Sequence, residues 1–138
     1  MSLLQVLNIA GSALNAQSLR LNLTASNLAN ADSVSSSVGG TYRSRHAVFA
    51  TALQEAELAE TVPTGVRVLG VVESKAPLRR EYLPDHPKAD QDGYIYRTNV
   101  NVIDEMADMI SASRSYQSNV EVINASKQML LRTLSLGQ

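Results

Sequence analysis

Apolar residues in the last third of the chain recur with the alternating four-and-three spacing of one helix face. Val102, Met106, Met109, Ser113, Tyr116, Val120, Ile123, Lys127, Leu130 and Leu134 form that series, and the spacing predicts a single long α-helix. At the opposite end Leu7, Leu14, Leu21 and Leu28 recur every seven residues, with Leu3 and Ala10 beside them. Two terminal helices, each striped for a seam, point to a protein that works by being packed against other helices. The stretch between them carries no comparable stripe.

Local signals set the element boundaries. Ser2 with Gln5 three positions on reads as a capping box, and periodicity continues to about Asn30, a helix of roughly 42 Å. Gly11 inside it suggests a close approach by a neighbouring element. Residues 31–41, rich in Ser and Gly, read as a loop. Tyr42 to Phe49 alternates like a strand, whereas Val48 to Glu60 also fits a short helix with Phe49, Ala52, Leu53 and Leu58 on one face. After Pro63 and Gly65, Val66 to Val72 is β-branched and predicts a strand. Lys75 to Tyr82 is a second extended piece, marked as an edge by Pro77. A turn-dense loop, residues 84–93, leads to a short strand at Tyr94 to Tyr96. Asn101 caps the last helix, with Asp104 and Glu105 in its first turn, and Gly137 ends it.

The expected fold is therefore mainly α with a small β-rich middle, its long terminal helices packing as a coiled-coil-like pair in a helical assembly. Residues 1–30 and 102–138 are expected to form the helical part, and residues 31–101 a loop and a small β-rich module. The last helix, about 52 Å long, is too long for this module to cover, so further chains are expected to bury the rest of its stripe.

Composition narrows the function. The 138 residues carry a net charge of −1 without a basic stripe, which argues against nucleic-acid binding. The absence of cysteine excludes disulfides, thiolate metal sites and a cysteine nucleophile. With no Trp and one Phe, the apolar content suits thin helix seams better than a deep core. No run approaches the ~20 apolar residues that span a bilayer, and no cleavable leader is expected, since the first residues lack a basic stretch.

Catalytic chemistry is not legible. His46 and His86 have no metal-ligand spacing around them. Asp90, Asp92 and Gly93 imitate part of a calcium loop, but Lys88 and Asn99 occupy its first and twelfth positions, so the segment reads as a turn. Asn22-Leu23-Thr24 and Asn124-Ala125-Ser126 match a glycosylation triplet inside predicted helices, and Gly39-Gly40 is followed by no phosphate-binding Lys. Glu55, Glu57 and Glu60 read as a solvated face. No enzyme, cofactor or metal is expected.

Two segments resemble a known family. Ile9 to Ser33 is similar to the N-terminal signature of the flagellar rod and hook (axial) proteins, whose hallmark stands here as Ser26-Asn27-Leu28-Ala29-Asn30. Asp92 to Gly137 resembles the C-terminal signature of the proximal-rod branch, most specifically over Asn99 to Met106 and Ser113 to Leu130. The longer, Ser-rich, proline-free segment Ala31 to Thr41 departs from the wider family. The resemblance implies a structural subunit of the proximal rod in the periplasmic space, exported by the flagellar type III apparatus without leader cleavage. It would polymerise around the export channel with copies of itself and with other rod proteins. It implies no membrane insertion and no nucleic-acid partner. Subunit packing would then fall to Leu7, Leu14, Leu21 and Leu28 on the first helix, and to Val102, Met106, Met109, Tyr116, Val120, Ile123, Leu130 and Leu134 on the last. The competing reading is a soluble helical adaptor or export chaperone acting as a discrete dimer; a hydrolase riding on the rod would need a catalytic set that the sequence does not provide.

Overall fold

A computed structural model describes residues 3–55 and 61–136. Helix α1 spans Leu3–Ala29 and helix α2 spans Val102–Leu136. Between them lie β1 (Val34–Ser35), β2 (Arg45–Glu55), β3 (Thr61–Glu73), β4 (Arg79–Tyr82) and β5 (Tyr94–Arg97). The β1, β5 and β4 strands form an antiparallel sheet in that order, and β2 pairs with β3 in a separate two-stranded ribbon. Two helices with a small sheet-rich middle is the architecture expected from the sequence.

Three local expectations are corrected. Over residues 48–55 the chain is strand and not helix, because pairing with β3 satisfies the backbone of a segment whose Val48, Phe49 and Thr51 favour extended structure. The extended piece begins only at Arg79, since Pro77 has no N–H to give a ladder. The Ser-rich loop contains a two-residue strand, with Val34 opposite Arg97 and Ser35 opposite Tyr96. The Ser2 cap, the Gly137 stop and the helix reading over 56–60 lie outside the described residues.

The chain divides into two compact units. In the first, residues 1–21, 47–70 and 110–138, the buried helical positions are Ala10 and Ala16 of α1 and Ala112 and Ser126 of α2. The ribbon is fastened to α1 by Ser12, whose Oγ donates to Ile9 O at 2.8 Å and accepts from Val66 N at 3.0 Å. Gly65 makes the approach possible. Its φ is 143°, and a Cβ there would stand 2.2 Å from Ser12 Oγ. At Gly11, where the sequence suggested close approach, a Cβ would meet nothing within 4 Å.

The second unit comprises residues 22–46 and 71–109. Ile95 and Val100 are its buried apolar residues, joined by an unusual number of buried polar ones: Thr24, Asn27, Thr41, Ser44, Thr98 and Glu105. Thr98 Oγ1 donates to Ala31 O at 3.1 Å and accepts from Val100 N at 3.3 Å. Asn99 accepts from Ser44 N at 2.9 Å and donates to the Ser74 and Ala76 carbonyls. The Asp92-Gly93 turn forms as expected: Gly93 has φ 80°, and Asp90 Oδ1 accepts from Asp92 N at 3.0 Å and Tyr94 N at 2.8 Å.

Candidate assembly surface

Asn27 is the centre of the second unit. It is fully buried, and its amide uses every bond it can make. Nδ2 donates to Arg45 O and to Glu105 Oε1, both at 2.9 Å. Oδ1 accepts from Arg45 N and from the Tyr42 hydroxyl, also at 2.9 Å. One side chain thus ties the end of α1 to the start of β2 and the first turn of α2. Ser26 Oγ lies 3.3 Å from the same tyrosine hydroxyl. Asn30 closes the motif by donating from its backbone N and from Nδ2 to Ser26 O, which ends the helix. Leu28 is half-buried and Ala29 exposed. The five-residue signature therefore works mainly through its two asparagines.

Asn101 begins α2 as expected, accepting from Ile103 N at 3.2 Å and donating to Asp104 Oδ2 at 2.7 Å. Glu105 stands in the first turn of α2, as expected, and is buried there. Only its spacing could have flagged it: Glu105, Ala112, Asn119 and Ser126 recur every seven residues, and three of the four are buried. The covered line of α2 is this small and polar one. On the expected stripe, Met109, Val120, Ile123 and Leu130 are half-buried, whereas Val102, Met106, Tyr116 and Leu134 are exposed. On α1 the buried positions are Ala10, Ala16, Thr24 and Asn27, and Leu7, Leu14, Leu21 and Leu28 are all half-buried beside them.

The surface that results is strongly apolar. Among the described residues, nine large apolar side chains of α2 are exposed: Val102, Ile103, Met106, Ile110, Tyr116, Val122, Met129, Leu131 and Leu134. Among the described residues, five apolar side chains are buried, and three of those are alanine. Contiguous exposed apolar surface of this extent is uncommon on soluble monomers.

Chemistry of other kinds is poorly supported by the geometry. A cleft of about 490 Å³ is lined by Val38, Gly39, Gly40, Thr41, Tyr42, Arg43, Arg45 and Glu73. Its charged groups already have partners: Arg45 pairs with Glu73 at 2.9 Å, and Arg43 Nη1 donates to the Ser74 and Ala76 carbonyls at 3.1 Å. His46 is exposed, and His86 Nδ1 accepts from Lys88 N at 3.0 Å. Among the described residues no cluster of three His, Cys, Asp or Glu is placed to hold a metal, and no helix is long and apolar enough to cross a membrane.

Comparison with known proteins meets this geometry at both ends. Residues 7–35 match the family described as "Flagella basal body rod protein", and residues 91–136 match "Flagellar basal body rod FlgEFG protein C-terminal". The chain is 52% identical over 138 residues to the flagellar basal-body rod protein FlgC of Yersinia enterocolitica, with all of both chains covered. It is 51% identical over 139 residues to that of Salmonella typhimurium, again with complete coverage. To that of Borreliella burgdorferi it is 36% identical over 151 residues, covering 100% of this chain and 99% of the relative. The chain belongs to the FlgC family of flagellar basal-body rod proteins. It is a structural subunit of the proximal rod and not an enzyme. In this FlgC family member the N-terminal match contains the Asn27 hub, and the C-terminal match contains Glu105 and the whole of α2.

Proposed function

We propose that this rod subunit polymerises through α1 and α2, which form the inner helical part of a tubular assembly around the export channel, while residues 31–101 face outward. The observation that carries this reading is the imbalance on α2, where large apolar side chains are exposed and the buried positions are Glu105, Ala112 and Ser126. Neighbouring copies and other rod proteins cover the exposed residues, and coiled-coil-like packing sets the half-buried leucines of α1 into their seams. The subunit passes through the flagellar export apparatus without leader cleavage and takes its place in the periplasmic part of the rod. Flexible Met106, Met109 and Met129 fit seams between non-identical neighbours.

Hydrogen exchange on a verified monomer and on assembled rods tests the proposal. Isolated helices whose apolar face is uncovered are marginal in water. The amides of α1 before Asn22 and of α2 beyond Met109 are expected to exchange rapidly in the monomer and to become protected in the rod. Full protection in a dilute chain, or protection that appears in a discrete dimer, would replace the polymer reading with that of a dimeric adaptor or chaperone.

A further inference from the structure

Helix α1 turns an unusual face outward. Leu4, Asn8, Gly11, Asn15, Ser18 and Asn22 follow one another at alternating spacings of four and three, so they share one side of the helix. All are exposed except Gly11, which is half-buried. None is charged. Arg20, the one charged residue of α1, stands two places on from Ser18, about 200° round the helix. A helix face that stays wet normally carries Lys, Glu or Arg, and Asn, Ser and Gly are poor helix formers. Gly11 is the plainest case. It lies in regular helix, its φ is not positive, and a Cβ there would meet nothing within 4 Å among the described residues. Neither backbone conformation nor crowding in this chain requires glycine, so the notch serves a helix from outside whose axis comes close.

The part of α2 beyond Ile110 carries the counterpart. Val122 and Met129 are 43% and 55% exposed. With Ser111, Ser118 and Ala125, also exposed, they form a charge-free stripe at spacings of seven, four, three and four. Each of the five stands two places on from a member of the stripe expected from the sequence, and so on nearly the opposite side of the helix. The buried Ala112 and Ser126 run between the two stripes. Helix α2 thus has apolar surface on both flanks of the line its own chain covers, and a single seam cannot take both.

The two charge-free faces are complementary in size and polarity. On α1, Asn8 and Asn15 are seven residues apart, and so are the small Gly11 and Ser18 beside them. On α2, Ser111, Ser118 and Ala125 recur every seven residues, with Val122 and Met129 seven apart alongside. Val122 and Met129 are knobs for the space that Gly11 and Ser18 leave open, and the serine hydroxyls offer the asparagine amides both donors and acceptors. Neither face brings a charge into the contact, so no ion is desolvated. Because the faces belong to different helices, a contact between copies is heterologous and propagates, as a helical polymer requires.

We infer that the Asn8–Gly11–Asn15–Ser18 face of α1 in one copy receives the Ser118–Val122–Ala125–Met129 face of α2 in a second copy of this chain. This rests on the polymerisation proposed above and names the faces that meet in one of its seams.

The chain has no cysteine, so a disulfide between copies comes only from introduced residues. Asn15→Cys is combined in turn with Ser118→Cys, Val122→Cys and Met129→Cys, which samples the registers of the seam. Oxidation of purified basal bodies is expected to give a ladder of cross-linked copies from at least one pair and from no single variant. Incorporation of all three double variants without a ladder overturns the contact. A ladder from Asn15→Cys alone also overturns it, since α1 would then face α1. A size series guards against misfolding. Gly11→Leu raises helix propensity and points into open space in the chain itself. The monomer is therefore expected to keep its helicity and thermal midpoint, while its retention in basal bodies falls about tenfold. Gly11→Ala is expected to lose less. Val122→Ala or Met129→Ala, added to Gly11→Leu, is expected to restore most of the retention. Normal retention of Gly11→Leu, or a loss that neither truncation relieves, overturns the pairing. Hydrogen exchange reads the polymer itself: protection of both helices in assembled rods stands whichever faces meet, so failure of that reading and failure of this contact are distinguishable.

Discussion

Asn27 Nδ2 donates to Glu105 Oε1 at 2.9 Å across 78 positions of sequence, in a site where both side chains are buried. That bond joins the family signature at the end of α1 to the first turn of α2. The other carboxyl oxygen of Glu105 is buried with no hydrogen-bond partner among the described residues, so the pairing with Asn27 is its main compensation for burial. Replacing Asn27 by Ala is expected to destabilise the second unit by about 2–4 kcal/mol, since it leaves Arg45 N, Arg45 O and Glu105 without their partner. Asn27→Asp should cost at least as much, because it offers Glu105 an acceptor where a donor stood. Denaturant unfolding of the three chains gives the comparison, and a loss below ~1 kcal/mol for both variants would rule out the hub as a determinant of stability.

Gly65 and Ser12 form a pair with a distinct signature. Gly65→Ala puts a Cβ 2.2 Å from Ser12 Oγ at a φ of 143°. Ser12→Ala removes the acceptor for Val66 N, at a cost of about 1 kcal/mol. The double variant removes the clash with the hydroxyl but keeps the backbone strain, so its destabilisation should be smaller than the sum of the single ones. Exchange of the Val66 amide and thermal unfolding of the cycle would check this; strict additivity would mean that the two residues do not meet.

On α2, exposure separates folding from assembly. Ile110→Asp and Leu131→Asp alter side chains that are exposed in the chain itself, so each should change monomer stability by no more than about 0.5 kcal/mol. Their retention in basal bodies should nevertheless collapse, because a charge would enter an apolar contact. Glu121→Ala and Gln128→Ala, also exposed, serve as polar controls and should be retained normally. Retention of both charged variants would show that this face meets no neighbour.

Asp90 reads as a turn residue, and a simple series tests that. Its Oδ1 accepts from two backbone N–H groups. Asp90→Asn keeps an acceptor in the same place and should be nearly neutral. Asp90→Ala should lose about 1–2 kcal/mol and loosen the β4–β5 connection. Equal stability of the two variants in thermal unfolding would remove Asp90 from the turn.

The outline of the fold was legible because its signals are local. Helix periodicity, the Asn101 cap and the Asp92-Gly93 turn each depend on a few neighbouring residues and form where the sequence placed them, while the strand expected over Val66 to Val72 is longer and runs from Thr61 through Pro63 and Gly65 to Glu73. Segment 48–55 failed the same test because its apolar spacing fits either period; only the partner strand β3 decides it. The family signature was visible as a string, but nothing in that string says that Asn27 would bond Tyr42, Arg45 and Glu105.

By itself, then, the sequence determined that long helices stand at both ends and that a small extended module separates them. Spacing, caps and composition carry that information without reference to any contact. Only the tertiary structure decided which line of each helix the chain covers for itself. Close approach of backbone elements admits small side chains, so Ala10, Ala16, Ala112 and Ser126 go inside, and Asn27 and Glu105 can follow because they satisfy each other. The larger Leu, Ile and Met side chains beside those lines find no space within one chain and remain outside or half-covered. Periodicity marks a stripe to within a residue or so, but the choice between adjacent stripes depends on the volume available across the contact, which no single segment encodes.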